Sequence, residues 1–307
     1  MSARTGFAAH AALWLALLAP MAASAVQAAP PAAGGIEVFA SDDAEDTTIA
    51  KTAVSAYARY DDAGNHLGLV LEHARFRPVG ESGWTDHRAY IAFAGGRDHL
   101  AWDGRIGTDG QTLLGRASLV RDQGWRQEYF VERDVLETRA GRDGRYVTFA
   151  GAALDVPLGG RGQQVTLLAG LQDFPGDNLR SHLRATYSLP LLPDQGLGLQ
   201  VRARSFHNSH PRELDYYSPR RFDEILPMLR LRRFRGGWLY SAAAGVGRQR
   251  ESGADWRAAR LAEVLVESPR SSSDWYLRMH LLYSNTPVGD GTNYGYRQLH
   301  LQAVKGF

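Results

Sequence analysis

Apolar and polar residues alternate along this chain in long runs, and the last run reaches the final residue. From Gly295 to Phe307, Leu299, Leu301, Ala303 and Phe307 share one face while Gln298, His300 and Gln302 share the other. Leu197, Leu199, Val201 and Ala203 alternate with Gly198, Gln200, Arg202 and Arg204. Leu183, Ala185, Tyr187 and Leu189 alternate with His182, Arg184, Thr186 and Ser188, and Trp275 to Tyr283 repeats the pattern around Arg278 and His280. A strict period of two is the strand signal. Many of the runs reach the length of a tilted membrane strand, about 9–11 residues, which is long for a soluble sheet. Termini of soluble domains tend to fray. A final strand that is apolar on one face and closes on an aromatic is the pattern of an outer-membrane barrel, with lipid outside and a polar lumen inside.

The N-terminal end agrees with export. Arg4 precedes the apolar run Ala11–Ala19, and small-residue cleavage sites follow at Ala23-Ser24-Ala25 or Val26-Gln27-Ala28. This is the layout of a secretory signal peptide over residues 1–28. The barrel is then expected over 29–307, a chain of about 279 residues that fits one domain. No other stretch is long and apolar enough for a membrane helix, so a membrane location requires strands. The 35 basic and 33 acidic residues nearly balance, which argues against a nucleic-acid partner. Lys51 and Lys305 are the only lysines. With no cysteine there is no disulfide or thiol chemistry, as suits an exported protein that needs no staples.

Turn chemistry punctuates the runs. Asp61–Asn65, Gly107–Gly110, Ala140–Gly144, Gly159–Gly162 and Pro193–Gly196 supply the Gly, Asn and Asp that tight hairpins need. Strands are expected near 34–41, 48–60, 66–76, 85–94, 98–106, 111–120, 126–137, 145–157, 163–173, 178–189, 196–206, 222–234, 237–249, 256–267, 273–285 and 294–307. The fold class is therefore all-β: a transmembrane antiparallel up-and-down barrel of about sixteen strands, with fourteen as the competitor. Tyr57 and Tyr60, Trp84 and Tyr90, Trp125 and Tyr129, Trp238 and Tyr240, and Tyr294 and Tyr296 lie near strand ends, where interfacial aromatics belong.

One segment carries a family resemblance. Asp215-Tyr216-Tyr217-Ser218-Pro219-Arg220-Arg221-Phe222, the strand Ile225–Phe234 after it, and Trp238–Gln249 resemble the C-terminal barrel of bacterial exopolysaccharide export porins. Those are the poly-N-acetylglucosamine exporters and the cellulose-synthase operon C proteins. The resemblance spans residues 35–307 and makes Tyr216, Tyr217, Pro219 and Arg220 a motif loop. It implies an exporting porin whose partners are outer-membrane lipid, the barrel-assembly machinery that reads Phe307, and a polysaccharide. Two departures stand out. The array of 34-residue helical repeats that precedes such barrels is missing from this sequence, so a periplasmic repeat protein or synthase complex would be a separate chain. Lys305 also stands where the terminal signature has an apolar residue, a position from which it can snorkel to headgroups.

The inferred lumen is polar. Arg184, Gln200, Arg202, Arg204, Arg230, Arg232, Arg278, Gln298, His300 and Gln302 face it on the later strands, and Glu72, Glu128, Glu132 and Asp134 on the earlier ones. Such charges either line a transport path or pair to fill the barrel. Catalytic constellations are weak. Phe206-His207-Asn208-Ser209-His210, with Glu213 and Asp215, is the best candidate for a nucleophile and base or a metal pair. Ser41–Asp46 is carboxylate-rich but lacks the spacing of a calcium loop. Gly245-Val246-Gly247 has no following helix and so is no nucleotide fingerprint. No cofactor and no enzymatic activity are expected. Three readings remain: an exopolysaccharide export barrel, a structural or assembly barrel with a plugged lumen, and an outer-membrane enzyme.

Overall fold

The computed structural model of the chain describes residues 32–42, 47–78, 80–160, 162–285 and 296–307. The signal segment 1–28, most of the Ser41–Asp46 run and Tyr294 lie outside the described residues. Sixteen strands form. The first eight are β1 (Ala33–Asp42), β2 (Thr48–Asp62), β3 (Asn65–Arg77), β4 (Trp84–Arg97), β5 (Leu100–Thr108), β6 (Leu113–Gln123), β7 (Trp125–Val135) and β8 (Tyr146–Pro157). The second eight are β9 (Gln164–Asp173), β10 (Leu179–Leu192), β11 (Leu197–Asn208), β12 (Arg221–Arg235), β13 (Trp238–Glu251), β14 (Arg257–Glu267), β15 (Trp275–Ser284) and β16 (Tyr296–Gly306). Each pairs antiparallel with its chain neighbours, and β1 closes on β16 from Ala33–Gly306 to Asp42–Arg297. All sixteen expected runs are present, and the fourteen-strand alternative falls. Among the described residues no helix is long and apolar enough to cross a membrane.

Alternation sorts the two faces. Ile36, Val54, Leu69, Leu71, Leu183, Leu229 and Val246 are exposed on the outer wall. Their chain neighbours Glu37, Ala53, Val70, Glu72, Arg184 and Met228 turn inward and are less exposed. A continuous apolar outer wall of this extent is a membrane surface. On β3 the outward series runs Leu67, Leu69, Leu71 and then His73, Arg75, Arg77; on β13 it runs Tyr240, Ala242, Ala244, Val246 and then Arg248, Arg250. The change from apolar to basic marks the upper edge of the lipid band.

The two rims differ. Short hairpins such as Asp62–Asn65, Arg97–Leu100 and Gln123–Trp125 form one rim, which also holds both ends of the described barrel. Trp125, Trp238 and Trp275 open their strands there on the outward face. The other rim carries the longer connections 78–83, 136–145 and 209–220. Phe307 sits at the hairpin rim, 78% exposed, and its N–H donates to Ala32 O at 2.8 Å. Lys305 lies beside it with Nζ 5.0 Å from the Trp275 ring centroid and 4.0 Å from Asp274. A cation over an aromatic at the lipid edge accounts for the departure seen in the sequence.

Half of the expected aromatic girdle is corrected. Tyr57, Tyr60 and Tyr90 are buried in an inner cluster with Val70, Leu114 and Tyr276, and Trp84 stacks on the buried Phe76 at 4.8 Å. A register shift between Tyr57 and Arg59 inserts a bulge in β2. The extra residue resets the alternation, so Tyr57 and Tyr60, three apart, both point inward.

Candidate functional site: the lumen and its two ends

The register puts every expected lumen residue on the inner wall. On β10–β12, Arg184 lies opposite Arg204, Ser188 opposite Gln200, and Gly198 opposite Arg230. Arg278 is paired with Gln302 across β15–β16, and His280 with His300. Glu72 lies opposite Arg88, Glu132 opposite Arg116, and Glu128 opposite Val120.

Much of the acidic side is paired. Arg88 bonds Glu72 at 3.1 Å, Asp86 at 3.0 Å and Asp134 at 3.0 Å, and Lys51 bonds Asp134 at 3.0 Å. Arg105 reaches Glu37 at 3.6 Å and Glu72 at 3.4 Å, while His300 Nε2 lies 2.9 Å from Glu37. Glu128 meets Arg126 at 2.9 Å. The Lys51–Asp134 and Arg88–Asp134 pairs cross the lumen. Lys51 is on β2 and Asp134 on β7, five strands apart, which is about 24 Å along the wall at ~4.8 Å per strand. They touch because the upper end of the β7–β8 hairpin folds into the barrel. Val135 packs on Ile49, Ala74 and Phe76, and Tyr146 beside it donates to Asp109 at 2.6 Å.

A second inward element meets it. Arg180, fully buried at the top of β10, donates to Asn208 at 2.9 Å, to Gln172 at 3.4 Å and to Tyr217 O, between the rings of Phe174 and Phe206 at 4.6 and 4.7 Å. Asn178 donates to Asn208 at 3.1 Å and to the Tyr216 hydroxyl at 2.8 Å, and the Tyr216 ring stacks on Phe174 at 4.1 Å. Pro219 and Arg220 contribute carbonyls to Asn208. The expected motif loop is thus the anchor of the 209–220 connection in the lumen mouth. The two connections clasp each other: Thr138 Oγ1 and Ala140 N donate to Asp215 at 2.9 and 3.1 Å, and Leu136 packs with Phe174 and Tyr216. Arg142 donates to Ser82 at 2.7 Å and Arg139 pairs with Glu81 at 3.6 Å, so connection 78–83 joins them. Burial pushes the Glu137 carboxyl in this clasp up to about 7; Lys51 opposes the rise, and Asp134 and Glu132 add to it.

The catalytic candidate separates. His210 Nδ1 lies 3.2 Å from Ser209 Oγ but 2.8 Å from the Asp177 carbonyl, and Ser209 Oγ accepts from Leu179 N. Glu213 accepts from Asp177 N and Asp215 from the 138–140 turn, so neither acid orients the imidazole. His207 faces outward at the top of β11. These groups hold loops together. Lys51, Arg88, Arg105, Arg180, Asn178, Asn208 and Glu224 were not singled out from the sequence. Inward parity was available for Lys51, Arg88, Arg180 and Glu224, and Asn208 stood in the catalytic candidate; nothing local marked the partners they take.

One concavity, of about 950 Å³, is on the outer wall against lipid, among Leu229, Leu231, Ala242, Leu281 and Leu299. A polar cavity of about 210 Å³ is luminal and lies toward the hairpin rim among Tyr57, Tyr60, His66, Arg116, Tyr276 and Arg278.

A closed antiparallel barrel with a lipid-facing outside and a polar inside defines an outer-membrane β-barrel of the porin-like channel class. No family model and no curated protein sequence matches the chain. Among solved structures it is similar to a bacterial polysaccharide outer membrane secretin, with TM-score 0.65 and 14% identity over 92% of this chain and 100% of that one. OccK5 of Pseudomonas aeruginosa covers 90% of this chain and 98% of its own, at TM-score 0.41 and 10% identity. An outer membrane channel of Pseudomonas putida F1 covers 92% and 97%, at 0.39 and 12%. At these identities the likeness is one of fold, and the sixteen-stranded barrel fits the exporter-barrel resemblance.

Proposed function

We propose that this barrel is an outer-membrane passage for an exopolysaccharide, without enzymatic activity of its own, delivered to the membrane by the signal segment 1–28 and inserted through Phe307. The resemblance implies a polymer of the poly-N-acetylglucosamine or cellulose type, handed over by a repeat protein or synthase on another chain. The observation that carries the reading is the inner wall of β10–β12. It presents Arg184, Gln200, Arg202, Arg204, Arg230 and Arg232 with Glu224 as the one carboxylate on those inner faces. A wall built only to fill the barrel would balance its charges. The clasped connections 136–145 and 209–220 then act as a gate at the loop-rich rim.

The plugged structural barrel is the second reading, favoured by the bonds that Lys51 and Arg88 make across the lumen to Asp134. Planar-bilayer recording separates the two. Deleting residues 137–144 and 210–219, which spares both strand ends, is expected to give steady channel currents. A silent bilayer from that correctly folded variant counts for the plugged barrel.

A further inference from the structure

The charge on β10–β12 is arranged at a cost. Arg184 and Arg204 occupy directly opposed positions, and like charges so placed destabilise a sheet. Glu224 bonds Arg202 at 2.9 Å and Arg204 at 3.3 Å, which leaves Arg184, Arg230 and Arg232 with no ion pair within 4 Å among the described residues. Arg184 Nε and Arg204 Nε are buried without a hydrogen-bond partner. Beside them on the inner wall lie Thr166, Thr186, Ser188 and Gln200, which offer hydroxyls and amides.

The luminal cavity of about 210 Å³ repeats this chemistry from the other side. That is the share of about seven liquid waters, the scale of one sugar ring. Tyr57, Tyr60 and Tyr276 give it aromatic surface, Arg116 and Arg278 give it guanidinium groups, and its carboxylates are held by neighbours, Glu37 by Arg105 and His300 and Asp103 by Ser118. Tyr60 is 1% exposed, yet its hydroxyl has no partner, and neither have His66 Nδ1 and Arg278 Nε. Buried polar atoms are nearly always satisfied, and here three residues lining one cavity each carry an unsatisfied one. Guanidinium forks bind carboxylates, and tyrosine faces pack on sugar rings.

We infer that the polymer is acidic: its repeating unit carries a carboxylate, the arginines of β10–β12 draw it along the lumen, and the tyrosine cavity is a subsite for one sugar residue. This rests on the passage reading but departs from the poly-N-acetylglucosamine or cellulose type that the resemblance implies. A neutral glucan makes no use of the arginines, and an amine-bearing polymer is repelled by them.

The test is equilibrium binding to the full chain in detergent, with three probes of equal length: a galacturonate hexamer, cellohexaose and a fully deacetylated chitosan hexamer. The galacturonate hexamer is expected to bind at least tenfold tighter than either of the others and to weaken as salt is raised. Arg184→Gln with Arg230→Gln, at positions without ion pairs, is expected to weaken it about tenfold and flatten the salt dependence. Tyr60→Phe weakens it and leaves the salt dependence in place. Equal or tighter binding of the neutral or amine-bearing probe overturns the inference, as does no binding of any probe. The unmodified chain already ranks the three probes, so a variant that misfolds does not spare it. If the loop-deleted barrel conducts while the galacturonate hexamer shows no preference, the acidic assignment fails alone; if it does not conduct, the passage reading fails.

Discussion

Asp134 accepts from Lys51 and Arg88 at 3.0 Å each, and its loss leaves two cations facing each other near Phe76. Breaking a buried pair from one side costs about 3–5 kcal/mol, whereas replacing both partners by apolar groups costs far less. Asp134→Ala is therefore expected to destabilise the barrel by about 3 kcal/mol in denaturant unfolding, and Lys51→Met with Asp134→Leu by clearly less. Equal losses would contradict a coupled pair. Arg180→Ala strips Asn208, Gln172 and Tyr217 O of a charged donor, with an expected loss of about 3 kcal/mol. Protease cleavage within 209–220 is expected to appear with it. Glu137 makes the clasp pH-dependent. Its carboxyl rises from 4.5 to about 7 when docked, so docking binds a proton. That contribution is complete below about 4.5 and is lost as pH rises through about 7. Cleavage within 136–145 is expected to quicken between pH 6 and 8, and Glu137→Gln to abolish the change; quickening on acidification contradicts the assignment.

At the scale of elements, the strands were legible and the inward folding of their connections was not. A period of two assigns each side chain to lipid or lumen, so Arg202, Arg204, Arg230 and Glu72 could be placed from position alone. The rule fails where parity is reset. The bulge after Tyr57 turned Tyr60 from an expected interfacial residue into a luminal one. It is silent on contacts between remote segments, such as Lys51 with Asp134 or Thr138 with Asp215, because pairing across a lumen has no local signature. The Tyr216–Pro219 turn was visible as a motif, yet its seat depends on Asn178 and Arg180, some 38 residues away for the Asn178–Tyr216 bond. The last strand tests a claim of its own. Phe307 is the exposed end of β16, held to the barrel backbone through one hydrogen bond to Ala32. Removing it is expected to leave the strand pairing intact but sharply reduce the amount of barrel assembled in the outer membrane. Unchanged insertion would show that the terminal aromatic is not the signal.

The whole molecule is a closed wall around two chemically different halves. Toward the loop-rich rim, the Lys51–Asp134–Arg88 network and the Arg180 cluster tie inward-folded connections together. Toward the hairpin rim, Tyr57, Tyr60, Tyr276, Arg116 and Arg278 line a cavity, and Tyr60 Oη and Arg278 Nε are buried there without partners. A gate above and a binding half below fit a passage, while a plug alone gives no reason for the unpaired arginines. Such a passage conducts only when the clasp opens, and opening costs the bonds that hold it. The most direct measurement is single-channel conductance of the purified chain in planar bilayers, compared with Asp134→Ala and with the deletion of 137–144 and 210–219. The account predicts rare, brief openings from the unmodified barrel, more frequent ones from Asp134→Ala, and a steady anion-selective current from the deletion. No current from any of the three, with folding confirmed by heat-shifted gel migration, would contradict it.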